Sequence, residues 1–214
     1  MKTVLVLAAL LVGALPAPLD SQLVLERYAT ALANLVPPKA MIFVYSISQA
    51  GPTNIEQQHR VYRSGINVRD ETISINAVSV HRKIVRIARR GDVYSVAAVA
   101  PRPDAYELLF LDAVRDGGHL DYVFQTIPLL HSSSGFAVDR VTIDGQSYLP
   151  RFVDFHSSGA IAAGSGRIAF GREGRYWVPL SASVSATVGG GMARERIVFS
   201  QYRFPAALPR STFL

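Results

Sequence analysis

Cysteine is absent from all 214 residues. That excludes a disulfide framework, a thiolate nucleophile, an iron–sulfur cluster and cysteine-ligated zinc. Lysine is nearly absent too, with only Lys2, Lys39 and Lys83, so arginine carries almost all the positive charge behind the net +6. A basic balance of that size attracts nucleic acid, anionic lipid or acidic polymers, but no long basic run focuses it. Charged residues make up 18% and hydrophobic ones 49%, which describes a chain able to bury a core rather than a disordered one. Tryptophan occurs once, at Trp177.

Long apolar runs are missing after the first residues. Met1-Lys2-Thr3 leads into the apolar stretch Val4 to Val12, followed by small and turn-forming residues from Gly13 to Pro18. The stretch falls short of the ~20 residues that span a bilayer, and the order of charge, apolar run and small residues is that of an export signal. Cleavage fits after Ala14 or Ala17. Residues 1–17 are thus expected to be a signal peptide, and residues 18–214 a single domain in the periplasm or otherwise outside the cytoplasm. A membrane-spanning mature chain is not expected, and such a location leaves little room for ATP, NADH or chromosomal DNA.

Catalytic signatures are equally scarce. No Gly-x-Ser-x-Gly elbow occurs, and Gly164-Ser165-Gly166 lacks the strand–turn–helix context that exposes such a serine. No glycine-rich phosphate loop precedes a helix. Asp70 and Glu71 are adjacent, so a strand would point them to opposite faces. Of the five histidines (His59, His81, His119, His131 and His156), only His119-x-Asp121 places two possible metal ligands on one strand face, and no third is indicated. His131-Ser132-Ser133 and His156-Ser157-Ser158 read as polar turns. Arg86, Arg89 and Arg90 form the densest basic patch, with Tyr94 the one aromatic close by, which reads as a solvated edge or a phosphate-headgroup contact rather than a nucleic-acid surface. The sequence therefore predicts no catalytic residues, no metal, no cofactor and no nucleic-acid partner.

What remains is one helix and many strands. Residues 18–36 read as a helix that Asp20 or Ser21 caps and Pro37-Pro38 ends, with Leu25, Tyr28, Leu32 and Leu35 on one stripe. Extended runs follow at 41–49 and 56–66, with Asn67 to Arg69 as a break before 72–75. Residues 80–90 fit either strand or helix, 93–100 read as extended, and 106–111 as strand or short helix. Residues 119–127 are extended again. From Phe136 onward strands alternate with turns: Asp144-Gly145 precedes Tyr148-Leu149-Pro150, and Glu173-Gly174 precedes Tyr176-Trp177-Val178-Pro179. Ser181 to Val188 alternates polar and apolar residues throughout, which assigns two faces of a pleated strand. The two prolines read as strand starts. Joined by tight turns, about ten such strands pair antiparallel, and a sheet that large curls, splits or closes.

Val141-Thr142-Ile143-Asp144-Gly145 running into Tyr148-Leu149-Pro150, and residues 197–204 running into Ala207-Leu208-Pro209-Arg210-Ser211-Thr212-Phe213, resemble phrases of the LolA/LolB-like periplasmic lipoprotein-carrier superfamily, which includes a sigma-factor regulator of the same fold. The resemblance implies a mainly β (α+β) fold, with a strongly curved antiparallel sheet forming a half-open β-barrel and the helix packed on its concave side. The family's lid uses several helices, whereas one is read here. The resemblance also implies a non-enzymatic binding protein holding a lipid or the acyl chain of a lipoprotein. The expected lining is Leu25, Tyr28, Leu32 and Leu35 of the helix with Tyr176 and Trp177, for which core packing is the competing role. An arginine on an early strand contacts the lid in such carriers, which leaves Arg60, Arg63 and Arg69 as candidates. An envelope scaffold or sensor that binds another protein is the alternative.

Overall fold

The computed structural model describes residues 20–89, 95–116, 118–129, 136–158, 163–188 and 191–214. The expected signal peptide, His131, Arg90, Tyr94 and Gly189-Gly190 lie outside the described residues. Helix α1 (Ser21–Ala33) starts at Asp20, whose Oδ1 accepts from the N–H groups of Gln22 at 3.1 Å and Leu23 at 3.2 Å. Such a cap is worth about 1 kcal/mol. The helix closes at Asn34, three residues ahead of the proline pair, shorter at both ends than expected.

Eleven strands follow: β1 (Ala40–Ala50), β2 (Ile55–Ser64), β3 (Asn67–Ile75), β4 (Val78–Arg89), β5 (Tyr106–Asp116), β6 (His119–Pro128), β7 (Phe136–Asp144), β8 (Pro150–Ser158), β9 (Ala163–Glu173), β10 (Tyr176–Val188) and β11 (Gly191–Arg203). They form one antiparallel sheet in the order β4-β3-β2-β1-β11-β10-β9-β8-β7-β6-β5. The chain steps outward from β1 to β4 and crosses to the opposite edge through the short helix α2 (Val96–Val99). It then steps back until β11 pairs with β1. The first and last strands meet in the middle, and β4 and β5 are left as edges, so the sheet is open rather than a closed barrel.

Six strand spacings separate β1 from β6, about 29 Å at about 4.8 Å each if the sheet were flat. Yet Phe43 and Tyr45 of β1, Phe124 of β6 and Val24 and Tyr28 of α1 belong to one hydrophobic cluster, with Val141, Val153, Ile168 and Ile197 between them. One helix touches that cluster only if the sheet curls around it. No helix among the described residues is long and apolar enough to cross a membrane.

Several local readings need correction. Asn67 to Arg69 do not break a strand but open β3, because Gly65 (φ +56°) and Ile66 already make the turn. Residues 80–89 resolve as strand, and β5 runs on to Asp116. In place of an extended run, residues 96–99 are helical, capped by Ser95, whose hydroxyl accepts from Ala98 N–H. Those changes bring the strand count from about ten to eleven. Pro150 does begin a strand. Pro179 instead sits inside β10 beside a register shift between Pro179 and Ser181, the irregularity where a strand tolerates a missing N–H.

Candidate functional site at the C-terminal end of the helix

A cavity of about 980 Å³ opens between the end of α1 and the neighbouring strand ends. Ala31 of α1, with Leu35 and Val36 just beyond the helix, lines one side, and Phe170 on β9 and Leu180 and Trp177 on β10 line the sheet side. Trp177 donates Nε1–H to the Pro150 carbonyl at 2.8 Å, which fixes the ring against the start of β8. Ionisable side chains line it as well: His119, Asp144, Arg151, Arg172 at the end of β9 and Arg175 on the β9–β10 turn. The volume sits at the upper end of ordinary ligand pockets, and, Tyr176 aside, eight of the seventeen lining residues are polar or ionisable.

The β7–β8 connection is built around Asp144. Its Oδ1 accepts from Gln146 N–H at 3.1 Å, Ser147 N–H at 2.6 Å and Ser147 Oγ–H at 2.7 Å, an Asx-type turn that occupies the carboxylate. Gly145 donates to the Leu120 carbonyl at 2.8 Å, and a Cβ at this position would strike that same oxygen, so the turn needs glycine. Tyr148 takes a left-handed backbone (φ +54°), a conformation that costs a non-glycine residue of order 1 kcal/mol. Its ring stacks near Tyr122 and its hydroxyl accepts from Arg27 of the helix at 2.7 Å. The strained tyrosine thus ties the connection to α1.

Of the residues expected to bind ligand, Leu35, Tyr176 and Trp177 line the cavity together. Leu25 and Leu32 pack against the core beside it. Tyr28 is fully buried and donates its hydroxyl to the Pro101 carbonyl at 3.0 Å, anchoring the helix to the β4–β5 crossover. The three early-strand arginines are not brought together. Arg60 is exposed opposite Glu71 of β3, and Arg69 pairs with Glu71 and donates to the Thr212 carbonyl of the C-terminal tail at 3.1 Å. Arg63 shares the inward face with Val61 and donates to the Gly65 carbonyl, and burial lowers its guanidinium below the ordinary arginine value.

Sequence reading missed a polar network on the inner wall. Asp70 of β3 accepts from Tyr45 of β1 at 2.7 Å and pairs with His59 Nδ1 at 2.9 Å, while His59 Nε2 meets Gln57 Oε1 at 3.1 Å. The His59 and Tyr45 rings lie parallel, 4.6 Å apart. Burial pushes the Asp70 carboxyl up, but hydrogen bonds from His59 and Tyr45 and the charges of His59 and Arg86 outweigh it and hold the group below the ordinary aspartate value. From this point an aromatic ladder runs through Phe43, Tyr202 and Phe204 to Tyr176 at the cavity, with successive centroids 6.4, 5.3, 5.8 and 4.6 Å apart. The register across β2, β1 and β11 that aligns these rings is not visible in any local stretch.

His59, His119 and His156 sit on β2, β6 and β8 in separate surroundings, and His156 forms an exposed pair with Asp139 at 2.6 Å. His119 reaches the cavity, whereas Asp121 is buried and bound to Arg151. Among the described residues no group of three or more histidine and acidic side chains is placed to hold a metal.

Two buried phenols give the protein a predictable alkaline limit. Burial pushes the Tyr28 hydroxyl far above the ordinary tyrosine range, and burial together with the charge of Glu173 does the same to Tyr202, which donates to the Pro179 carbonyl at 2.7 Å. Unfolded tyrosine ionises near about 10. The folded state holds these protons where the unfolded state releases them, so stability is intact below that pH and falls as pH rises past it. Thermal midpoints recorded from pH 8 to 11 are expected to drop above about pH 10, and Tyr202→Phe is expected to flatten the drop. A slope unchanged by that substitution would contradict the assignment.

No protein-family model and no curated protein matches the sequence. Solved structures do match. A putative outer membrane lipoprotein-sorting protein domain from Vibrio parahaemolyticus is 15% identical with a TM-score of 0.52, covering 91% of this chain and 97% of its own. A DUF1329 family protein from Desulfovibrio piger is 10% identical with the same TM-score, covering 90% and 96%. A LolA superfamily protein from Nitrosomonas europaea is 13% identical at a TM-score of 0.45, covering 92% and 98%. At a TM-score of 0.52 the likeness to the first two is one of fold. This chain has the LolA-like fold.

Proposed function

We propose that the chain is an exported, non-enzymatic binding protein that holds an apolar ligand, a lipid or the acyl chain of a lipoprotein, and acts in envelope lipid or lipoprotein transport. The cavity between α1 and the strand ends carries this reading, because its volume and apolar walls suit an alkyl chain. Its LolA-like fold and the lipoprotein-sorting label of one structural neighbour support it. The signal-like residues 1–17 support the export.

Trp177 is the only tryptophan and lines the cavity, so its emission reports entry of a ligand. A brominated fatty acid is expected to quench it saturably. Leu35→Trp with Trp177→Phe, which moves the reporter and fills space, is expected to weaken binding at least tenfold, the loss of about 1.4 kcal/mol. Native mass spectrometry of protein from an envelope-containing host is expected to show a bound lipid. Neither quenching nor co-purified lipid would end the carrier reading.

A second reading, an envelope scaffold or sensor for another protein, is favoured by edge strand β5. Leu109, Leu111 and Val114 stand exposed there beside unpaired backbone groups, a surface to which an extended segment adds as a further strand. A partner captured from envelope extract at fixed stoichiometry, and lost when Leu109 and Leu111 become charged, would favour it.

A further inference from the structure

The charges around the cavity are not evenly spent. Asp144 is buried, and its Oδ1 is occupied by three donors from its own turn. Arg151 is held on Asp121 Oδ2. Arg172 uses Nε on the Gly174 carbonyl at 3.1 Å. Arg175 uses one terminal nitrogen on the Tyr176 hydroxyl at 2.7 Å and lies over that ring, 5.0 Å from its centroid. The remaining N–H groups of these two guanidinium forks have no partner among the described residues. Glu173, between them in sequence, does not line the cavity, and its charge is felt instead at Tyr202.

We propose that this turn is a cradle for the anionic head, phosphate or carboxylate, of a ligand whose alkyl tail lies along α1. The proposal rests on the cavity reading and adds to it the ligand's chemical class and orientation. Each fork is anchored at one nitrogen and presents the others, so less freedom is lost on binding, and planar guanidinium groups match carboxylate and phosphate oxygens in pairs. The opposite wall sets the direction. It is the C-terminal end of α1, where the last carbonyls carry the negative end of the helix dipole. That end repels an anion, while Leu35, Val36 and Leu180 accept a tail. A head at the turn and a tail toward the helix is the arrangement in which neither end meets its own kind.

The experiment uses the purified, delipidated protein, Trp177 emission as readout, and four amphiphiles sharing one tail: dodecyl phosphate, dodecanoate, dodecanol and dodecyltrimethylammonium. The two anions are expected to bind about tenfold or more tighter than the alcohol, as one or two charge-assisted hydrogen bonds would give, and the cation is expected to bind weakest. Arg172→Gln with Arg175→Gln is expected to bring the anions to the alcohol's affinity and leave the alcohol unchanged. The paired lysine variant is expected to fall between, because it keeps the charge and loses the fork. Both positions are exposed, so circular dichroism is expected to show an unaltered fold. A preference for phosphate over carboxylate points to a phospholipid head, and the reverse to a free fatty acid. Equal binding of anion and alcohol, or an anion preference that survives the glutamine pair, overturns the cradle and leaves the cavity standing. No binding by any of the four overturns both.

Discussion

Tyr28→Ala is expected to destabilise the protein by about 3–5 kcal/mol, the range for deleting a large buried aromatic side chain. Tyr28 has no exposed surface and lies in the same cluster as Phe124, Val141 and Val153. Among the described residues it is also the one side chain of α1 with a buried hydrogen bond to the β4–β5 crossover. Among them the sheet has no second long helix to close over the gap, since α2 has four residues. In a chain of this length the loss corresponds to a fall of about 10 °C in melting temperature. Tyr28→Phe isolates the hydroxyl and is expected to cost about 1 kcal/mol, the net worth of a single hydrogen bond. Urea titrations of the three proteins give the comparison. An alanine variant within about 1 kcal/mol of the parent would mean that the helix is not anchored here. Since Ala31 of the same helix and Leu35 just beyond it line the cavity, the alanine variant is also expected to lose ligand-dependent quenching of Trp177.

The helix and most strands were legible because their signals are local. Asp20 before an apolar stripe, a proline pair after it, and the strict alternation from Ser181 to Val188 each name an element within a dozen residues. Residues 80–89 resisted because they stand at a sheet edge. With a neighbour on one side only, β4 leaves Ile84 and Ile87 both exposed, and no buried face imposes a period of two. The bulge at Pro179 was misread as a strand start for a related reason, since only the partner β9 reveals that β10 has already begun three residues earlier.

The candidate site was legible by half. Leu35 and the pair Tyr176-Trp177 were found by helical spacing and by aromatic content, and the fold brings them to one cavity. Arg172 and Arg175 flank the Glu173-Gly174 turn that sequence reading had already marked, but a turn arginine looks like any solvated charge until the cavity beside it is known. The tyrosine–aspartate–histidine network depends on register, because Tyr45 pairs with His59 across β1 and β2 while Asp70 pairs with the next inward residue, Val61. A shift of one residue would put these groups on opposite faces.

Asp121 and Arg151 are the other long-range pair, and substitutions there should be asymmetric. Asp121 on β6 has a side chain 6% exposed, and its Oδ1 has no hydrogen-bond partner among the described residues, while Arg151 on β8 is 27% exposed and lines the cavity. Arg151→Met removes the cation bound to the buried Asp121 carboxylate, and breaking a buried pair from that side costs about 3–5 kcal/mol. Asp121→Asn leaves an arginine that can turn into the cavity or solvent and an amide of the same shape, so its cost is expected to be about 1–2 kcal/mol. The double variant is expected to be as stable as Asp121→Asn alone, because the methionine then strands no charge. Denaturant midpoints of the three variants complete the cycle. Equal losses for the two single variants would mean that the pair stabilises by its own attraction. The expected inequality would mean that Arg151 is retained to neutralise a carboxylate the fold has already buried.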